Sequence, residues 1–304
     1  MSETRAPLGV AFTAHWLRLG AILRLAKRAD ELGYALVLVD GDASLAAATA
    51  QRPIYDPTAL SAAVALATQR TRIGSIHLAH FWNAALLARN LATLQELAGG
   101  RLVSVFGVGA PRKSARLGLP EPSPGERVAR LDETLEVVRA LLAGKSVTRR
   151  GRFVTLDGVR LTPPSQPSPI VVSAAGPRAL EVVRRHADIW DANVPPLRAK
   201  LEPLRARLGR ALPTWIWVFA RPGESRDAAL AAYRRHAPWF GNLPDPELGE
   251  AVLWGDPGRC RERLAALRAE LDVALPIADL AGLDEASAER ALVALAPAAD
   301  RRIS

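Results

Sequence analysis

A chain of 304 residues that is 49% hydrophobic, with a single cysteine, has material for a sizeable core without metal or disulfide support. Cys260 alone excludes an internal disulfide, no apolar run approaches the length of a bilayer span, and the first residues carry no leader pattern, so a cytoplasmic protein is expected. The formal charge of +9 is mostly arginine dispersed beside Ala, Leu and Glu, as in Arg259-Cys-Arg-Glu-Arg263, which reads as solvated helix faces and excludes a nucleic-acid groove.

Short apolar runs then alternate with longer amphipathic stretches. Residues 8–13 predict a strand, and 19–32 a helix with apolar residues three and four apart, stopped by Gly33. Strands follow at 35–40, 72–77 and 102–107, with helices at 57–68, 84–97 and 128–142. A basic stretch over 145–169 reads as a hairpin or ordered excursion, because Phe153, Leu156 and Leu161 are available for packing. Beyond it come strands at 170–174, 188–193, 214–220 and 273–278. Helices are predicted at 177–185, 197–208, 225–236, 258–270 and 285–295. Eight strands, each followed by a helix, predict a single (β/α)8 TIM-barrel domain over 1–304, with the excursion between strands four and five. An open doubly wound sheet is the alternative topology.

In such a barrel the chemistry sits where strands end. The first strand runs into His15, the second into Asp40 and Asp42, the third into Ser75, Ile76, His77 and His80, the fourth into Gly107 and Gly109. The fifth meets Ala174, Ala175 and Gly176, then Pro177 at the first turn of a helix, then Arg178. Small residues leave backbone N–H groups open to a ligand, and a helix start with an adjacent cation suits a phosphate. Gly107 and Gly109 form a backbone wall for a flat ring, or a plain loop. His77 lines the pocket or is a satisfied core histidine. His15 and Asp40 are proton-exchange candidates, or hydrogen-bonding residues of loops. His77 and His80, without clustered carboxylates or thiolates, make a poor metal site. None of the four lysines falls at a predicted strand end, which argues against Schiff-base chemistry. A bound cofactor is left to do the hard chemistry.

Several stretches together resemble the bacterial luciferase-like superfamily of flavin- and deazaflavin-dependent oxidoreductases. They are Thr71-Arg-Ile-Gly-Ser75, the helix from Leu86 to Leu94, Ala98-Gly-Gly-Arg-Leu102, Gly107-Val-Gly109, and Arg127 to Arg139. Gly151-Arg-Phe153, Ser173 to Leu180, Arg184 to Trp190 and Gly255-Asp-Pro-Gly258 continue the series. The resemblance implies a reduced coenzyme, F420 or FMN, lying across the barrel mouth. Its ring would rest on Ser75, Ile76 and His77, with a non-proline cis peptide at Ile76–His77. Its phosphate would meet Ala174, Ala175, Gly176, Pro177 and Arg178, while Gly107 and Gly109 flank the ring. The small-small-Gly-Pro-basic turn looks more like the F420 branch, which implies hydride transfer to or from a small organic substrate, such as C=C or C=N reduction. Some deazaflavin dehydrogenases carry Asp-His at the second strand end. Here the pair is Asp40-Gly41, which leaves His15, Asp40 or His77 for the proton. An FMN-dependent monooxygenase and a non-catalytic flavin-binding protein are the rival functions. Relatives that pair through helices two and three imply a homodimer.

Overall fold

The computed structural model describes residues 7–12, 17–40, 55–109, 118–236 and 243–297. The barrel is built from β1 (Gly9–Ala11), β2 (Leu36–Val39), β3 (Arg72–Leu78), β4 (Leu102–Gly107), β7 (Ile170–Ser173), β8 (Ile189–Asp191), β9 (Thr214–Pro222) and β11 (Leu275–Asp279). Each pairs with its neighbour in parallel, and β9 bonds both β8 and β11, so the sheet closes. The alternative of an open sheet is thereby ruled out, and the chain is a (β/α)8 barrel.

Two apolar layers follow from strand alternation. One face of the strands fills the barrel with Ala11, Leu36, Leu38, Val103, Val105, Val171, Trp215, Leu275 and Ile277. The other face, with Val10, Val37, Ile73, Phe106, Val172 and Ile216, packs under the helices. Those helices begin where the sequence supplies caps. Asp56 accepts from the Ala59 N–H at the start of α2 (Pro57–Ala67), and Asn83 caps α3 (Ala84–Leu97). Ser123 and Glu126 form a reciprocal capping box that starts α4 (Pro124–Leu142) four residues before the predicted start. The first helix, α1 (Leu19–Leu32), ends on Gly33, whose φ of 83° is left-handed backbone that favours glycine.

The expected excursion is an antiparallel hairpin, β5 (Val147–Arg150) and β6 (Thr155–Val159). Glu133 of α4 (Pro124–Leu142) ties it down by accepting from the N–H groups of Arg152, Phe153 and Val154, each at 3.0 Å. Phe153, Leu156 and Leu161 pack against the outer core as expected. The remaining helices are α5 (Pro177–His186), α6 (Arg198–Leu208), α7 (Arg226–His236), α8 (Asp245–Ala251), α9 (Pro257–Glu270) and α10 (Glu285–Leu295). Between α7 and α9 the structure adds two elements absent from the sequence reading: α8, and β10 (Val252–Gly255), which pairs with the end of β9. There Phe219, Tyr233 and Leu248 form a third apolar cluster against β9, shared with Trp217 of the barrel interior.

The expected cis peptide at Ile76–His77 is corrected: among the described residues every peptide bond is trans. β3 keeps regular register with β4 from Ile73 through Leu78, so no backbone irregularity interrupts it. No helix among the described residues is long and apolar enough to cross a membrane.

Candidate active site

Tilted barrel strands bring side chains of alternate strands to common levels. The pairing registers put Ala11, Ile76, Ser173 and Trp217 at one level. Leu38, Val105, Asp191 and Ile277 lie below it, and Asp40, Gly107, Asn193 and Asp279 above it, at the mouth. At that upper level Gly107 contributes no side chain, so the β4 side of the mouth is bounded by backbone and by Leu78, whose methyl would lie 3.1 Å from a Cβ added there.

Of the β3 residues singled out, only Ile76 faces the barrel interior. Ser75 and His77 point the other way and are fully buried. Ser61 of α2 donates to Ser75 Oγ at 2.8 Å, and Ser75 Oγ lies 2.9 Å from His77 Nε2. The His77 ring meets Trp82 edge-on at 5.5 Å and Phe106 at 6.4 Å. Burial pushes its pKa down to about 4, so the imidazole is neutral at pH 7. The expectation that His77 exchanges a proton with substrate is therefore corrected: its side chain belongs to the strand–helix layer, where it orients Ser75. His15, like Asp42, lies outside the described residues.

Gly109 has φ 78°, and a Cβ there would come within 2.4 Å of His80. Glycine is required twice over, by the backbone and by the imidazole, which packs at a tilt on Phe81 with ring centres 4.0 Å apart. Among the described residues no three His, Cys, Asp or Glu side chains converge as a metal site needs.

The β7–α5 turn has the properties read from its sequence. Ala174 is buried and donates its N–H to Asp191 O at 3.1 Å, while its carbonyl accepts from Trp190 Nε1 at 2.8 Å. The chain then emerges: Ala175 is half-buried, and Gly176, Pro177 and Arg178 are exposed. Gly176 is the N-cap residue of α5 and supplies no side-chain cap, and the first turn holds no acidic residue. The N–H groups of Gly176, Arg178 and Ala179 make no hydrogen bond among the described residues. A Cβ added at Gly176 would meet nothing within 4 Å. An uncapped helix start with open donors and an adjacent guanidinium fits a phosphate group. The chemistry of this turn thus fits a coenzyme's phosphate.

Sequence alone puts Asp191 at the end of the sixth predicted strand without a role and misses Asp279; the two are the last residues of β8 and β11. Both are buried, and each accepts from the N–H two residues on, Asn193 at 3.4 Å and Ala281 at 2.9 Å. Asn193 takes left-handed backbone to allow this, with φ 47°. Both Asp191 oxygens also accept from Trp217 Nε1, at 3.1 and 3.2 Å. Burial pushes Asp191 up to about 6 against its bonds to Ser173, Trp217 and Asn193.

Asp279 is less well served. Its Oδ2 is buried without a hydrogen-bond partner among the described residues. Arg221 lies nearby, but its guanidinium donates to the Ala220 and Ala281 carbonyls and stacks on Phe219 at 4.0 Å. Burial pushes Asp279 up to about 7; Asp40 adds to this, while the Ala281 N–H and Arg221 oppose it. A carboxyl raised in the fold stabilises it while protonated and loses that contribution as pH rises from 3.8 through about 7. Ionised Asp279 therefore costs on the order of 4 kcal/mol, the kind of expense found at functional sites.

Similarity to known proteins agrees with this architecture. Residues 8–244 match the family model described as luciferase-like monooxygenase. An F420-dependent glucose-6-phosphate dehydrogenase of Beutenbergia cavernae is 35% identical over 129 residues, 41% of this chain and 38% of that protein. The chain thus spans well under half the length of such relatives. An uncharacterised Mycobacterium tuberculosis protein is 30% identical over 187 residues, 58% of this chain and 63% of its own length. Among solved structures, an F420-dependent secondary alcohol dehydrogenase superposes with a TM-score of 0.79 at 19% identity, covering 96% of this chain and 99% of that one. EDTA monooxygenase from Chelativorans sp. BNC1 gives 0.76 at 17%, covering 97% and 93%. With its barrel and its open β7–α5 turn, the chain belongs to the luciferase-like monooxygenase family.

Proposed function

We propose that the protein is a coenzyme F420-dependent oxidoreductase that moves a hydride between the deazaflavin and a small organic substrate, reducing a C=C or C=N bond or running the reverse reaction. The uncapped start of α5 carries this reading, because its free N–H groups, the open space at Gly176 and the Arg178 charge suit a coenzyme phosphate. Sequence relatives and a fold neighbour named as F420-dependent favour the deazaflavin over FMN. When bound, the coenzyme supplies the carbon that gives or takes the hydride.

The chain's own residues do the rest. Gly176, Arg178 and Ala179 hold the phosphate, and Ile76 with the Gly107 edge supports the ring. The packed interior beneath, from Ala11 to Ile277, keeps water from the ring's lower side. Asp40 and Asp279, at the opposite side of the mouth, exchange the proton that accompanies the hydride. As one domain, the chain works as a homodimer in the cytoplasm. Exposed Leu66 on α2 and Leu86 and Leu97 on α3 support that pairing face, and the lone cysteine is buried.

Titration of the purified chain with F420 and, separately, with FMN, followed by fluorescence, tests the coenzyme assignment. Saturable F420 binding at least tenfold tighter than FMN binding is expected. Tighter binding of FMN would instead make it an oxygen-using monooxygenase.

A further inference from the structure

Ala11, Ile76, Ser173 and Trp217 share one level of the barrel, on β1, β3, β7 and β9. In the closed strand order β3 and β9 stand opposite each other, so Trp217 faces Ile76 across the interior. Ile76, Ser173 and Trp217 are each half-buried. The level beneath is shut: Leu38 is 3% exposed, Val105 1%, Asp191 2% and Ile277 0%. What the three upper side chains still show to solvent therefore opens toward the mouth.

Asp191 arranges this level from below. Its carboxylate accepts from the Trp217 indole N–H on both oxygens, at 3.1 and 3.2 Å, from the Ser173 side chain, and from the Asn193 N–H at 3.4 Å. Its main-chain carbonyl accepts from the Ala174 N–H at 3.1 Å, which ties it to the β7–α5 turn. Burying a carboxylate is costly, and a leucine would fill the interior without that cost. The return on it is local order. Among the described residues the carboxylate bonds Ser173, Trp217 and Asn193, and each of these keeps surface open to solvent. Nε1 is the one polar atom of an indole. In Trp217 it is spent on Asp191, so the open part of that side chain is ring carbon.

We propose that Trp217 is the platform on which the substrate lies, that Asp191 is its positioning residue, and that the substrates this platform selects are flat and conjugated. This rests on the hydride-transfer reading above and names its substrate class. With the coenzyme ring against Ile76, a substrate bound between that ring and Trp217 meets a flat face on each side. A planar conjugated molecule covers both faces and gains from stacking beyond the area it buries. A puckered saturated molecule of the same skeleton does not. The bond from Nε1 to a buried carboxylate fixes the indole before the substrate arrives, so binding does not have to order it.

Calorimetric binding of cinnamamide and of its saturated counterpart 3-cyclohexylpropanamide to the full chain, with and without F420, tests this. Cinnamamide should bind about fivefold tighter and quench tryptophan emission. Trp217→Leu should erase the preference and most of the quenching while F420 affinity stays unchanged. Asp191→Asn, which sets an N–H group among the three donors, should cut the preference to about twofold without lowering the melting temperature. Trp217→Phe keeps a ring but cannot bond Asp191; it should show the same partial loss, and it reads the pair should Asp191→Asn fail to fold. Equal binding of the two amides, binding of neither, or a preference that survives Trp217→Leu overturns the proposal. So does loss of F420 affinity in Trp217→Leu, which would give that side chain to the coenzyme, or a preference indifferent to both Asp191→Asn and Trp217→Phe. The preference in a chain that binds no F420 would instead sink the coenzyme assignment and leave the Trp217 platform standing.

Discussion

Gly176→Asp should abolish F420 binding while leaving the fold as stable as before, or more so. The two effects have opposite signs for separate reasons. Gly176 is the N-cap of α5 with φ −73°, a conformation open to any residue, and its Cβ direction is empty. Aspartate is among the best N-caps, so its carboxylate would take the free N–H groups of the first turn and stabilise the helix by about 1 kcal/mol. Those are the donors assigned to the phosphate. With them occupied and a negative charge set against another, affinity should drop by about 100-fold or more, roughly 2.7 kcal/mol. Fluorescence titration and thermal melting of the same preparation read both quantities. Gly176→Ala, which adds bulk without charge, should change affinity little. Unchanged F420 affinity in Gly176→Asp would move the phosphate elsewhere.

Asp30→Ala should be among the more destabilising single changes. Asp30 ends α1 on the buried side and accepts from three successive N–H groups, Gln69 at 3.0 Å, Arg70 at 2.8 Å and Thr71 at 2.6 Å. This one carboxylate shapes the turn into β3 and holds it to α1. Removal leaves the Thr71 N–H buried without an acceptor, whereas water can reach Gln69 and Arg70. A loss of about 3 kcal/mol follows, equivalent to roughly 5 °C in melting temperature for a chain of this size. Burial alone would raise the Asp30 pKa, but the three N–H donors and Arg70 outweigh it and hold the carboxyl below its ordinary value. A depressed folded-state pKa gives stability that is complete above the unfolded value of 3.8 and lost as pH falls through the folded one. The deficit of Asp30→Ala should thus be full at pH 7 and shrink only in strong acid. Equal melting temperatures at pH 7 would show that water replaces the carboxylate freely.

The fold was legible because strand and helix signals alternate cleanly and most helix starts carry caps. The stretch between α7 and α9 was not. α8 has seven residues and passes directly into β10, so no turn signal separates them and neither is long enough for its period to show. At the candidate site, the β7–α5 turn could be read locally, since small residues before Pro177 report their own backbone. His77 could not, because alternation along β3 groups it with Ser75 but does not say which face looks inward. That depends on neighbours such as Leu38, whose side chain covers Gly74. Asp279 lay one residue past the predicted strand, and its pairing with Asp40 across β1 exists only once the barrel closes.

A crystal structure of the chain with F420 bound tests the central claim most directly. The coenzyme phosphate should lie within hydrogen-bonding distance of the Gly176, Arg178 and Ala179 N–H groups, with the ring against Ile76 and the Gly107 edge. A phosphate bound away from the α5 start, or a ring outside the barrel mouth, would contradict it.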